Sequence, residues 1–409
     1  MIRHLFKLIW NRKRANALVI AEIFVCFLVL FAVTTLTLYT ARNYLRPIGF
    51  AYDRVFKIDV GFGGREEETS AGKEPSVANP MEARQRSILS VLKADSAVEE
   101  AAWADPVPFS QSNWVRSFHR GSREIRYSMA NVTDEFRAVM GIEITRGRWF
   151  SAEDDAGGYQ AMVISAALAE EAFGAADPTG QSLNGDRKAS DEPEPERRVV
   201  GVMRAFRQEG EFDTQDIYGL QRLVYNSKTM SRAGSLVAKM KPGADATVEA
   251  RLAASLLAAA PDWSFKVAPM ELSADFTHRL HLAPVALLGV VALFLVLMVA
   301  LGLSGVLWQS VTTRIREIGV RRALGASAAD VKWQVIGELM VMATVAILGG
   351  IMVVLQFPFL DLLGPIPKSV FFGGLSLTIA LLYALALVCG LHPARLATTV
   401  HPAEALRYE

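Results

Sequence analysis

Between two long apolar runs the chain reads Thr313-Arg-Ile-Arg-Glu-Ile-Gly-Val-Arg-Arg-Ala-Leu-Gly-Ala-Ser327. Arg314, Arg316, Arg321 and Arg322 surround one acid, Glu317. Cationic side chains between apolar runs mark a connection held on the cytoplasmic side of a membrane. Ile315, Ile318, Leu324 and Val331 recur at helical spacing, so much of the stretch can form an amphipathic helix. The chemistry open to such a segment is recognition: basic on one side and apolar on the other, it can receive a soluble partner. A topology signal alone is the plainer reading. Glu317 among the arginines, with Gly319 and Gly325 interrupting the stretch, exceeds what topology needs, because glycines mark tight turns or close backbone approach.

Other candidates for chemistry are few. Glu22 lies about two turns into the first apolar run, and Glu338 lies near the start of the third. An ionisable group in a membrane is a functional candidate by default. The alternative is that each sits near the cytoplasmic edge, bonded to a neighbouring helix or reaching the interface. His278 and His281 share a helical face, but with no third ligand nearby they read as ordinary interfacial histidines. Gly72-Lys73 lacks the upstream glycine and the Ser/Thr of a Walker A phosphate cradle, and no HExxH or CxxC appears, nor GxSxG in an exported segment. No catalytic, cofactor or metal residue is assigned to this chain. ATP and Mg are expected in a partner.

The elements that position these residues begin with four runs long enough to span a bilayer: 15–39, 282–308, 335–356 and 370–391. The first two reach about 37–40 Å as helices, so they tilt or continue out of the membrane as a stalk. Residues 1–14 carry five basic residues and no Asp or Glu, and Ile2–Trp10 reads as an interfacial helix on membrane lipid. The 309–334 connection has five basic and two acidic residues, and 357–369 has only Asp361 and Lys368. That bias places both termini (1–14 and 392–409) and the arginine segment in the cytoplasm, with 40–281 and 357–369 outside. A net charge of +1 gives no reason to invoke nucleic acid. Cys26 and Cys389 both lie in apolar runs, so the exported part folds on its own core without disulfides.

That exported part contains strand-helix-strand twice, at about 52–105 and 234–270, which predicts a split βαβ lobe with two helices on one face. Arg54–Val60 alternates as a strand, Asn79-Pro80-Met-Glu82 opens a helix, and 98–104 closes the unit. Ser235–Met240, Ala244–Ala259 and Trp263–Val267 repeat the pattern. Residues 106–233 read as an inserted mixed lobe, with strands at 161–164 and 198–203 and a helix capped by Ser165. The polar stretches 66–77 and 186–196 read as exposed loops. The fold class is thus an α+β membrane protein, with four transmembrane helices and a large α/β domain between the first and second.

At these residues the chain resembles the MacB-like (FtsX/LolE-type) ABC transporter permeases. Arg316–Ser327, with Asp330-Val and Glu338, is similar to the family's cytoplasmic connection between its second and third spans. Arg146-Gly-Arg-Trp-Phe150-Ser-Ala-Glu-Asp154, Ala161–Ser165, Asp177–Leu183 and Val199–Val202 resemble its periplasmic core. So do Phe173-Gly and the ending His392-Pro-Ala-Arg395 through Pro402-Ala-Glu404 to Glu409 in their places. The resemblance implies an inner-membrane mechanotransmission protein paired with a second copy or sister permease. A cytosolic ABC ATPase would dock on Arg314, Arg316, Glu317, Gly319, Arg321, Arg322 and Gly325. Periplasmic adaptors and an outer-membrane channel are further implied partners, and efflux or extraction of a drug, peptide or lipoprotein the implied work. An FtsX-like regulator or a non-transporting sensor is the alternative. Where family members carry the ATPase fused ahead of the first span, only 14 residues precede it here, so the ATPase is expected on another chain. The first span, Ala21-Glu22-Ile-Phe-Val-Cys26, departs from the family's frequent pattern.

Overall fold

The computed structural model describes residues 13–62, 80–184, 195–214, 216–223, 234–244, 247–313, 320, 324–360 and 366–399. The chain divides into a helical unit, Met1–Arg42 with His281–Glu409, and a sheet unit, Asn43–Leu280.

In the sheet unit, β1 (Val55–Gly61), α2 (Pro80–Ala94) and β2 (Val98–Asp105) form the first half of the split lobe. The second half is β9 (Ser235–Met240), α5 (Thr247–Ala259) and β10 (Ser264–Pro269). The strands lie in the order β10-β1-β9-β2, every pair antiparallel. Helix α5 turns Val248, Leu252 and Leu256 inward at four-residue steps. Ile88 and Leu92 of α2 meet them over Ile58, Trp103 and Leu236. Burying each such side chain is worth about 1.5–3 kcal/mol. Trp103 is fully enclosed, and its indole donates to the Gln85 carbonyl at 3.3 Å, so its polar edge is satisfied without breaking the core.

The insertion continues the sheet of the split lobe. It holds β3 (Trp114–Arg120), β4 (Arg123–Val132), α3 (Phe136–Met140), β5 (Ile144–Gly147), β6 (Gln160–Ser165), α4 (Ala166–Phe173), β7 (Arg197–Met203) and β8 (Tyr218–Arg222). Its β4 pairs with β2 at Ala104↔Val132 and Asp105↔Asn131. One sheet therefore continues as β10-β1-β9-β2-β4-β8-β6-β7-β5, with β3 beside β4. The edge of β2 would otherwise expose unpaired backbone groups, and β4 covers it. Ser165 caps α4 as expected, its Oγ accepting from Leu168 N at 3.2 Å. The β3–β4 hairpin was not foreseen, because Arg116, Arg120, Arg123 and Arg126 break its apolar alternation.

Four apolar helices make the helical unit: α1 (Lys13–Tyr44), α6 (Met270–Thr312), α7 (Ala328–Val354) and α9 (Lys368–Thr399); a short α8 (Gln356–Phe359) follows α7. Helix α6 has 43 residues, or about 64 Å. It starts at Met270, ahead of the expected 282, because Met270, Ala274 and Thr277 bury one polar-flanked face before the apolar run begins. In the helical unit α1, α7 and α9 interlock. Phe27 occupies the place a Cβ on Gly350 would take, and Phe31 meets Phe371 edge-on at 5.2 Å. Thr34 Oγ1 lies 2.8 Å from Thr378 Oγ1 and donates to the Gly374 carbonyl at 3.3 Å. Small residues and hydroxyls let membrane helices approach where no water drives them together.

Candidate functional site

The connection between α6 and α7 is built from its two ends. Val311 of α6 and Val331 of α7 are buried together, with Val335 packed on them. Ser327 and Asp330 close a capping box at the start of α7: Ser327 Oγ accepts from Asp330 N at 3.2 Å, and Asp330 Oδ2 accepts from Ser327 N at 3.0 Å. Two residues earlier Gly325 has φ +102°, a conformation that L side chains rarely adopt. Leu324 N donates to the Val320 carbonyl at 3.0 Å, one helical turn. The Leu324 side chain is 83% exposed. An apolar side chain in that position, between two fixed helix ends, is available to another surface. Arg314, Arg316, Glu317, Gly319, Arg321 and Arg322 lie outside the described residues, as do the expected interfacial helix at Ile2–Trp10, the 66–77 stretch and most of 186–196.

Glu22 and Glu338 both lie on described helices. Glu22 of α1 is half-buried, and its carboxylate packs against Gly302 of α6: a Cβ at 302 would sit 2.5 Å from Glu22 Oε2. Glycine at 302 is what lets the carboxylate lie along α6. Glu338 is half-buried on α7, one residue before the core residue Leu339.

In the sheet unit the Arg146–Asp154 stretch proves to be a built joint. Arg148 forks onto Asp154 (Nη1 to Oδ2 2.9 Å; Nη2 to Oδ1 2.5 Å), which also accepts from Ser151 N at 2.9 Å and Tyr159 OH at 2.9 Å. The Arg148 hydrogen bonds hold the Asp154 carboxyl well below the usual range, at about 2, against the opposing effect of burial. Gly147 (φ +70°) and Gly201 allow this joint to press onto β7, since a Cβ on either would overlap the carbonyls of Val200 or Arg148. The role of this motif is therefore positional.

Arg207, Glu211 and His278 were not picked out as a group by sequence. Arg207 is 1% exposed, and His278 Nε2 lies 2.8 Å from Glu211 Oε2 rather than pairing with His281 in a shared role. Arg204-Ala-Phe-Arg207 carries no periodic signal for a buried guanidinium, and the sequence separation of 67 from Glu211 to His278 hides their pairing.

Comparison with known proteins fits this architecture. The MacB-like periplasmic core domain family matches residues 17–255, and the FtsX-like permease C-terminal family matches residues 289–402. The chain belongs to the MacB/FtsX family of ABC transporter permeases. It is similar to the uncharacterized ABC transporter permease YvrN of Bacillus subtilis (strain 168), 24% identical over 100% of this chain and 99% of that protein. It is 26% identical to the macrolide export ATP-binding/permease protein MacB of Agrobacterium fabrum, over 97% of this chain but only 59% of that longer relative. The crystal structure of the periplasmic region of MacB from Actinobacillus actinomycetemcomitans aligns with 58% of this chain and 96% of its own, at 17% identity and a TM-score of 0.35. Four helices long and apolar enough to cross a membrane among the described residues, together with this membership, make the chain a multi-pass membrane protein, and an ABC permease implies an ATPase partner.

Proposed function

We propose that this permease couples a separate cytosolic ABC ATPase to its core domain on the far side of the inner membrane. The observation that carries the reading is the α6–α7 connection. Its ends are joined by Val311 and Val331, while Leu324 is presented outward. A partner pushing on residues 313–330 would have to move both helices with it, because short connections leave no slack. Arg314, Arg316, Arg321 and Arg322 would hold the segment at the cytoplasmic face, and Glu317 would meet the ATPase. The termini would then be cytoplasmic and the core domain periplasmic. ATP and Mg would bind the partner. The work would be efflux or extraction of a drug, peptide or lipoprotein by a pair of permeases, with adaptor and outer-membrane channel as further partners.

The test is ATPase stimulation in the reconstituted complex. Glu317→Lys, Gly319→Pro and Leu324→Asp are each expected to abolish stimulation of the co-purifying ATPase while leaving membrane insertion intact. Normal stimulation in a well-inserted variant overturns the docking reading. The FtsX-like match over 289–402 supports a second reading, an FtsX-like regulator of a periplasmic partner. Stimulated ATPase with no movement of any substrate, and a changed activity of a co-purifying periplasmic protein, would select it.

A further inference from the structure

Helix α1 ends at Tyr44, where its last carbonyls lose their own-helix partners. Arg207 reaches in to one of them, Asn43 O, which also accepts from Arg46 N at 3.1 Å. Its Nη1 donates to Asn43 O at 2.8 Å and to Arg46 O at 3.3 Å. Its Nη2 donates to Glu211 O at 2.7 Å and also to Asp213 O, and its Nε donates to Asp213 O at 3.1 Å. Every nitrogen of the buried guanidinium is thereby used, and burial pushes its pKa down from the ordinary arginine value. A cation on the carbonyl end of a helix is also favoured by the helix dipole. Asp216 lies 3.6 Å from Nε and pairs with Arg46 as well. The chain before and after Arg207 is pressed onto the same region: Arg207 N donates to Ile48 O at 3.0 Å, and a Cβ on Gly49 (φ +90°) would overlap Ala205 O.

The same short segment holds the beginning of α6. Glu211 Oε2 meets His278 Nε2 at 2.8 Å, while Glu211 Oε1 accepts from Tyr52 OH at 3.2 Å. A second, aromatic route runs beside the polar one. Tyr44 of α1 packs on Phe212 with ring centroids 5.8 Å apart, and Phe212 meets the His278 ring edge-on at 5.3 Å. Phe109 closes the other side of His278 at 6.4 Å.

We infer that residues 207–213 are a brace that ties the end of α1 to the beginning of α6, so that a displacement of one helix end is carried to the other. Arg207 and Glu211 are positioning residues: neither needs to touch a transported substrate. Two independent kinds of contact, charge-assisted hydrogen bonds and ring contacts, run through this one short segment from one helix to the other. Displacing either helix end alone would leave buried donors, acceptors or a guanidinium without partners, which is costly in a dry environment. Moving both ends together with the segment keeps these particular contacts. The brace deepens the coupling reading above, and its purpose rests on that reading.

Its test needs no ATPase, so its failure is separable from failure of the docking reading. The full chain is placed in lipid nanodiscs, and backbone hydrogen exchange is followed in 43–48 and 270–280. His278→Ala is expected to speed exchange in 43–48 by about tenfold or more, although His278 has no bond there. Arg207→Lys, which cannot reproduce the planar fork, is expected to speed exchange in 270–280 to a similar degree. His278→Gln keeps a hydrogen-bonding group toward Glu211 and is expected to recover part of the protection. Leu256→Ala, in the α5 core, is expected to leave both segments unchanged. Effects confined to the mutated side, or equal loosening by Leu256→Ala, overturn the brace. Should His278→Ala fail to fold, His278→Gln and Arg207→Lys carry the same cross-wise readout.

Discussion

In the core domain Arg148, Arg207 and Arg222 each spread a guanidinium over several acceptors: Asp154 for the first, four backbone carbonyls for the second, Asp134 and Asp155 for the third. In the helical unit Phe27 rests on Gly350, Phe31 on Phe371, and Thr34 reaches Thr378. The first region is directional. Its joints have one geometry, and losing a partner strands a charge. The second is held by shape and a few hydroxyl bonds, which tolerate sliding better. Its second apolar helix is also the least covered. Only 11% of its most apolar window is buried within the chain, against 39% in each of the other three. Leu293, Leu297 and Leu301 of α6 face outward there.

That contrast can be broken at its strongest point first. Arg207→Ala should destabilise the core domain by about 3–5 kcal/mol, because it removes the guanidinium that donates to the carbonyls of Asn43, Arg46, Glu211 and Asp213. Thermal unfolding of the full chain in detergent measures it, and a loss under 1 kcal/mol would show that the joint is not directional.

Acid reads out the next joint. Asp154 titrates at about 2 when folded against an ordinary 3.8, so its contribution is complete above pH 3.8 and drains away as the pH falls through about 2. That difference amounts to about 2 kcal/mol. Asp154→Asn should lose about that much at pH 7, with the gap to wild type closing toward pH 2. Asp105 has the opposite sign: burial raises it to about 6, so the native state holds its proton more tightly and stability falls as pH rises from 3.8 through 6. Asp105→Asn should therefore be more stable than wild type at pH 7.5 and indistinguishable from it at pH 3.5. Denaturant midpoints across that range decide both signs.

On the helical side, effects should be smaller. Gly350→Val inserts atoms where the Phe27 ring lies and should cost about 1–2 kcal/mol, read from unfolding in mixed detergent micelles. Thr34→Val removes the Thr378 and Gly374 bonds and should cost only about 0.6 kcal/mol, typical of hydrogen bonds between membrane helices. A Thr34 loss as large as that of Arg207→Ala would erase the distinction between the two regions.

Local patterns were legible where one physical term decides the element. The four apolar runs, the Val248–Leu252–Leu256 face and the Ser165 cap could be read directly, since membrane insertion, helical periodicity and capping each leave a short-range trace. The hairpin at 114–132 was not legible, because its arginines find partners across the fold: Arg120 lies over the Phe173 ring and Arg123 pairs with Glu171. For the candidate site, the sequence marked the segment 313–327 and its glycines, and the fold supplied the φ of Gly325, the outward Leu324 and the valine contact beneath.

By itself, then, the sequence determined that this is a membrane protein with a large domain between its first two spans, that both helices of the split lobe would be amphipathic, and that its family resemblance is to the MacB/FtsX permeases. These depend on hydropathy, periodicity and motif order, all of which are written within short windows. Only the tertiary structure decided that the insertion extends one sheet through β2 and β4, that Glu22 lies along Gly302, and that Arg207 and Glu211 tie Asn43 to His278. Strand edges, close approach and buried charge depend on which distant residues become neighbours, and a buried arginine has the same letter as an exposed one until the chain has folded around it.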